Sequence, residues 1–274
     1  LERDAERAGD RARLGVVLAA LADVSRRSGD NEQAAARLQR AIGALGEALE
    51  LRASSTVKAH LGQALLDWGK AAEALGRPAE AGARFRRAHQ VFTELGSGIG
   101  AAECLDRLGR LAFLDADWVR AGELLGRALS QYEALGAERQ LACRMRVARV
   151  ALRTEPPPAW AERVWPIVER VQTQLSRLDH RGRVAATHGL RLVRHALDGD
   201  WLGWDAALAE AADHPPHAGT AAGAAWLGWL AGEAAALAGE RARARVVLQT
   251  ASGLFRAMGD RARVAEVDRF RAQV

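Results

Sequence analysis

The chain repeats one short pattern of small and large apolar residues about six times. In each copy a marker residue is followed four positions later by a large apolar side chain and, in most copies, three positions after that by a small one. The markers are 40 to 47 residues apart and stand at Ala34, Ala81, Ala121, Ala161, Trp204 and Ala244. Because steps of three and four place side chains on one face of a helix, each copy is predicted to carry a buried helical face.

Each repeat is predicted to be a pair of antiparallel helices, named helix A and helix B in chain order. A small residue such as Gly69 or Gly109 precedes the marker by twelve positions, which lets the two helices approach closely. Glycine followed by a helix-starting residue separates helices, as at Gly76-Arg77-Pro78 and Gly199-Asp200. No stretch alternates with the two-residue period of a strand, so the predicted fold class is all-α.

These residues resemble the tetratricopeptide (TPR) signature: an apolar residue and glycine, then alanine twelve positions on, then an aromatic or leucine, then alanine. The resemblance covers about residues 11 to 258, and its 40-residue period is similar to the long-helix variant in maltose-activator-type and LuxR-type bacterial regulators and signalling ATPases. It implies a right-handed superhelical solenoid of about six helix pairs with a C-terminal capping helix over residues 261–274. It also implies a non-catalytic sensor or docking arm.

The two ends of the chain suggest a single solenoid domain over residues 1–274 that belongs to a larger protein. Gly9-Asp10 matches Gly259-Asp260, so both are predicted to be junctions between a finished repeat and the next helix. Residues 1–8 would then be the tail of a preceding repeat. The exposed side of the capping helix is predicted to be polar, with Arg263, Glu266, Arg269 and Gln273 on it.

Composition narrows the function classes. The net charge is +5, but the arginines alternate with acids along the chain, which indicates a solvated surface and no direct contact with nucleic acid. No apolar run is long enough to span a bilayer, so no transmembrane helix is expected, and the charged N-terminus is not expected to be a signal peptide. Cys104 and Cys143 lack metal-ligand spacing and are predicted to be buried, reduced thiols of a cytoplasmic protein.

No constellation of residues indicates catalysis, a metal or a cofactor. The run from Gly96 to Gly100 follows a helix and lacks a lysine, so it is predicted to be a turn between repeats rather than a phosphate loop. His188 and His195 could share a helix face, and His214 and His217 sit in a predicted loop, but neither pair has zinc-ligand spacing. Pro166 is predicted to kink or restart its helix.

The resemblance implies that helix A of each repeat lines a concave, partner-binding surface. Lys70 is a solitary match to the lysines and asparagines with which the family clamps a peptide carboxylate, so that clamp is not expected. The predicted binding residues are Lys70, Glu73, Glu103, Asp106, Arg110, Phe113, Arg146, Trp226, Trp229 and Glu233.

The expected partner is a protein or peptide, and two alternatives stay open. One is a small inducer such as a sugar, stacked on Trp226 and Trp229; the other is self-assembly into a homo-oligomer. Trp226 and Trp229 lie three positions apart, on one helix face. They are either exposed binding anchors or packing residues.

Overall fold

The described residues of the computed structural model, 2–136, 140–155, 157–175, 180–213, 216 and 221–274, contain helices and no strand. This confirms the all-α prediction. The helices are α1 (Glu2–Ser28), α2 (Asn31–Leu51), α3 (Ser55–Ala74), α4 (Pro78–Glu94), α5 (Gly98–Leu114), α6 (Trp118–Ala134), α7 (Gln140–Thr154), α8 (Pro157–Arg163), α9 (Trp165–Leu175), α10 (His180–Asp198), α11 (Trp201–Asp213), α12 (Ala221–Leu237), α13 (Arg241–Ala257) and α14 (Arg261–Gln273).

The chain divides into two compact units, Leu1–Ala137 and Glu138–Val274. In the first unit, α1 to α6 form three helix pairs in which each helix packs against the next. The predicted markers Ala34, Ala81 and Ala121 are fully buried there, as is Phe85, the large residue that follows a marker. The repeat pattern therefore marks the interior of the helix stack.

Small residues bring helix A and helix B into close contact, as predicted. A Cβ atom added to Gly109 on α5 would lie 2.6 Å from Cγ of Leu125 on α6. In the second unit, a Cβ added to Gly232 on α12 would lie 2.7 Å from Cγ of Leu248 on α13. Real Cβ atoms do not approach other atoms this closely, so only glycine fits while the leucine keeps its place.

Most turns use the predicted glycine and capping residues. Gly76, Gly96 and Gly199 have positive φ angles of 71°, 68° and 70°, which glycine adopts without steric cost. The side chain of Asp200 accepts a hydrogen bond from the backbone N–H of Gly203 at 2.9 Å and so caps α11. The run from Gly96 to Gly100 is an inter-repeat turn that leads into α5, which confirms that prediction.

The predicted junction at Gly9-Asp10 is wrong. Helix α1 runs without a break from Glu2 to Ser28, through both residues. Gly9 does not have the positive φ angle that ends a helix at Gly259, which precedes α14. A glycine and aspartate pair interrupts a helix only where the glycine takes that conformation.

The second unit contains the fourth to sixth helix pairs and the C-terminal helix. Helix B of the fourth pair is divided into α8 and α9, and Pro166 lies in the first turn of α9, where the missing N–H costs nothing. This confirms the predicted restart. Helices α10 and α11 form the fifth pair, α12 and α13 the sixth, and α14 packs on α13.

One contact in this unit departs from the order of the repeats. Helix α7 packs against α12, although the pair formed by α10 and α11 lies between them in the chain. None of the described helices is long and apolar enough to cross a membrane.

Candidate functional site

In the first unit, the predicted binding residues of α3 and α5 contact one another across consecutive helices A. The ammonium group of Lys70 lies 3.0 Å from a carboxylate oxygen of Glu103 and 3.1 Å from Asp67. The carboxylate of Glu73 accepts a hydrogen bond from Arg107 at 3.1 Å and pairs with Arg110. These side chains form a ladder of alternating charges, called here the α3–α5 charge ladder.

Two other predicted residues of α5 lie beside this ladder. Asp106 is half-buried. Phe113 is buried, and its ring meets the edge of Trp118 with 5.0 Å between ring centroids. The ring of Phe113, predicted to contact a partner, therefore already packs against the start of α6.

Cys104 is buried behind the ladder, as predicted for a reduced thiol. Burial raises the pKa of the Cys104 thiol to about 12, and the neighbouring charge of Glu103 acts in the same direction. This cysteine therefore has little nucleophilic character at neutral pH.

In the second unit, Trp226 and Trp229 are packed rather than exposed. Their rings stack with 5.2 Å between centroids and an interplanar angle of 14°, and Phe255 meets both at their edges. Trp226 is 5% exposed and Trp229 is fully buried. Of the two alternatives left open by the sequence, the structure shows packing, and the pair is not an exposed anchor.

Arginines of α7 lie over both tryptophans. The guanidinium group of Arg149 lies 3.8 Å from the centre of the Trp229 ring, and that of Arg146 lies 5.5 Å from the Trp226 ring. Both distances are within the range of cation–π attraction. The inward face of α12 is therefore occupied by the arginines of α7.

Glu233 completes this contact and is fully buried on α12. It accepts hydrogen bonds from Nη2 of Arg149 at 2.8 Å and from Nη1 of Arg153 at 2.9 Å. Nη1 of Arg149 also donates to Glu266 of α14 at 3.2 Å. The side chains Arg149, Arg153, Glu233 and Glu266 are called here the arginine–glutamate cluster.

The charges of this cluster stabilise one another despite their burial. Burial alone would raise the pKa of Glu233, but the charges and hydrogen bonds of Arg149 and Arg153 outweigh it and hold the pKa below its ordinary value. For Arg149, burial alone would lower the pKa, and the charges of Glu233 and Glu266 outweigh that effect and raise it. Glu233 and Arg149 are therefore both charged at neutral pH.

Of the four members of this cluster, the predicted binding residues include only Glu233. Arg149 was not among the predicted residues, although it lies three positions after Arg146 and four before Arg153, on the same helix face. Glu266 was expected on the exposed side of α14, together with Arg263. Instead Glu266 pairs with Arg149, and Arg263 lies over the Trp226 ring at 5.1 Å.

A hollow of about 280 Å³ lies beside this site. Apolar side chains from α7, α12 and α13 line it together with the Trp226 ring, and Asp260 and Arg263 supply its charged rim. This hollow next to Trp226 is a place that a small molecule could enter.

The histidines form no metal site among the described residues, where no group of three His, Cys, Asp or Glu side chains could hold an ion. His188 and His195 both lie on α10, as predicted. His188 is buried, with a nitrogen 3.9 Å from Glu210, and His195 lies 2.9 Å from Asp200. His214 and His217 lie outside the described residues.

Comparison with known proteins identifies the fold. No protein-family profile and no curated protein matches the chain. Among solved structures, BtubC (BKLC) from P. vanneervenii is 16% identical, with a TM-score of 0.57 over 94% of this chain and 89% of that chain. The apo form of RapI is 9% identical, with a TM-score of 0.68 over 92% of this chain and 66% of that one.

A third similar structure is described as having TPR-like repeats. The putative kinesin light chain with nearly identical TPR-like repeats from Podosopora anserina is 14% identical, with a TM-score of 0.54 over 92% of this chain and 98% of that chain. Identities this low establish the fold alone. The chain therefore has a TPR-like helical-repeat fold, and its function rests on its own side chains.

Proposed function

We propose that this chain is a non-catalytic module that binds a protein or peptide through the helices A of its repeats. The observation that carries the proposal is the α3–α5 charge ladder, in which buried and half-buried acids and bases of two consecutive helices A pair with one another. A fixed pattern of alternating charges selects a partner of complementary charge, because mismatched charges at an interface cost several kcal/mol.

The wider setting of the module follows from the sequence resemblance. We infer that it serves as the sensor or docking arm of a cytoplasmic bacterial transcription regulator or signalling ATPase. The long repeat period supports this inference, and the TPR-like fold is compatible with it. Repeat solenoids of this kind present extended surfaces suited to peptides and helices.

A small-molecule sensor is the second candidate, and the hollow beside Trp226 is the observation that favours it. A sugar cannot stack on both tryptophans, as the sequence suggested, because Trp229 is fully buried. A ligand would instead contact Trp226 from the side of Arg263.

The proposal is tested by capturing partners with the full chain and with a charge-exchange variant. The double substitution Glu73→Arg and Arg110→Glu keeps an ion pair at the ladder but reverses its direction. We expect it to weaken binding of the captured partner by about tenfold or more, since complementary charges become like charges.

The matched control exchanges an exposed pair on two helices B, Asp205→Arg with Arg243→Asp, which lie 2.8 Å apart. It should bind the partner as the original chain does. Equal binding by the ladder variant would contradict the proposal. Recovery of a small molecule without any protein would support the sensor in its place.

A further inference from the structure

The face of α12 that the repeat pattern assigns to partner binding is already occupied by a helix of the same chain. Trp226, Trp229 and Glu233 share that face. Arginines of α7 contact all three, and Arg263 of α14 also lies over Trp226. The contact joins the fourth helix pair to the sixth, although the fifth pair lies between them in the chain. A helix in this place sits where a bound partner helix would sit in the proposed function.

Helices α7 and α12 carry contacting side chains at the same spacing along each helix. Arg146, Arg149 and Arg153 follow steps of three and four along α7, and Trp226, Trp229 and Glu233 follow the same steps along α12. Arg146 faces Trp226, Arg149 faces Trp229, and Arg153 pairs with Glu233. The helices are therefore parallel and in register at three successive positions.

Arginine is the side chain that this face suits. A guanidinium group is planar, so it can stack on an indole ring and donate two hydrogen bonds to a carboxylate at the same time. Arg149 does both, with Trp229 under its plane and Glu233 at its edge. A lysine ammonium group is a point charge with no plane, so it cannot reproduce this double contact.

We propose that the inward face of α12, together with Glu266 of α14, is a recognition groove for an arginine-bearing amphipathic helix of a partner protein. Helix α7 is its internal occupant and is displaced when the partner binds. This inference rests on the proposed protein-binding function and names the class of segment that the second unit accepts.

In the proposed exchange, the incoming helix remakes the contacts with α12 that α7 gives up. The desolvation cost of the buried charges is met in both states, since Glu233 stays paired with arginine in each. The neighbouring face of α7 carries Met145, Ala148 and Leu152, which lie in one apolar core with residues of α8, α10 and α12. An incoming amphipathic helix therefore has to present apolar side chains to that core as α7 does.

The test uses the full chain and a synthetic peptide of residues 140–154, with Cys143→Ser to prevent disulfide formation. Hydrogen exchange of each helix is followed with and without saturating peptide. We expect amide exchange in α7 to accelerate by about tenfold or more, while α12 stays protected under the peptide. The control peptide carries lysine at positions 146, 149 and 153 and should bind about tenfold more weakly.

A chain variant identifies the groove. Glu233→Gln should abolish the effect of the peptide. If circular dichroism shows that this variant does not fold, Glu266→Gln, which is nearer the surface, should still weaken peptide binding.

Peptide binding without faster exchange in α7, equal binding of the lysine peptide, or absence of peptide binding to the folded chain would overturn the proposal. A concentration-dependent dimer that protects α7 would make a second copy of the chain the occupant, and would also overturn it. The charge exchange at Glu73 and Arg110 tests partner binding in the other unit. A negative result of the peptide experiment would therefore leave the proposed protein-binding function to be judged by that exchange.

Discussion

A single side chain, Arg149, shows how closely charge and packing are combined in the second unit. Its guanidinium stacks on Trp229, donates to Glu233 and reaches Glu266. The result is a buried cation whose electrostatic partners come from two other helices. Removing any one partner leaves the remaining charges desolvated, which is why such clusters are sensitive to single substitutions.

Cys104 provides a prediction at the same scale. Its pKa, raised by burial to about 12 from an ordinary 9.0, reduces the thiolate fraction about a thousandfold. Alkylation by iodoacetamide at mildly alkaline pH should therefore be very slow in the folded chain and rapid in guanidinium chloride. Peptide mapping by mass spectrometry measures both rates. Similar rates in the two states would show that the Cys104 thiol is not buried and that its pKa is not raised.

The sequence predicted which residues share the inward face of α12 but not what covers that face. The three-residue step between Trp226 and Trp229 is local information, and it placed both rings correctly on one side. The covering residue Arg149 is 84 positions away from Glu233 in the chain. No local period encodes a contact over that distance, so the burial of the tryptophans could not be derived.

At the scale of helices, glycine has two opposite roles that the structure separates. Gly109 lies against Leu125, whereas Gly126 on α6 has no atom within 4 Å of an added Cβ. The first glycine permits close packing of a helix pair. The second is half-buried in a helix interior with open space at its Cβ position, where glycine is less favourable than alanine by about 1 kcal/mol.

This contrast predicts substitutions of opposite sign. Gly109→Val should reduce the free energy of unfolding by about 2–3 kcal/mol, because the added atoms overlap the Leu125 side chain. Gly126→Ala should increase it by about 0.5–1 kcal/mol. Urea denaturation followed by circular dichroism measures both. A neutral Gly109→Val would mean that α5 and α6 are not packed as closely as the structure shows.

Helix boundaries were predictable where a glycine and a cap act together and not elsewhere. Gly199 and Asp200 do so, since the glycine has positive φ and the aspartate caps α11. Gly9 and Asp10 have the same sequence but lie inside α1. The choice between these outcomes depends on tertiary packing of the flanking residues, which a dipeptide does not reveal.

At the scale of the whole molecule, the arginine–glutamate cluster links stability to pH. The folded pKa of Glu233 is held below its unfolded value of 4.5, so its contribution to stability is complete above that value and is lost as pH falls through the folded pKa. Glu233→Gln should lower the free energy of unfolding by about 3–5 kcal/mol at neutral pH. The difference from the original chain should shrink progressively below pH 4.5.

Thermal unfolding of both chains across this pH range provides the measurement. Asp205→Asn is the control, since Asp205 forms an exposed pair with Arg243 and its removal should have little effect at any pH. A stability difference for Glu233→Gln that stays constant between neutral and acidic pH would show that the carboxylate is not the titrating group.

The contact between α7 and α12 also constrains how the number of repeats can change. In a solenoid held together only by adjacent repeats, a helix pair can be gained or lost while every remaining interface survives. Here an extra pair inserted between α11 and α12 would carry Glu233 away from Arg149 and Arg153. The buried carboxylate of Glu233 therefore constrains the number of repeats that this unit can contain.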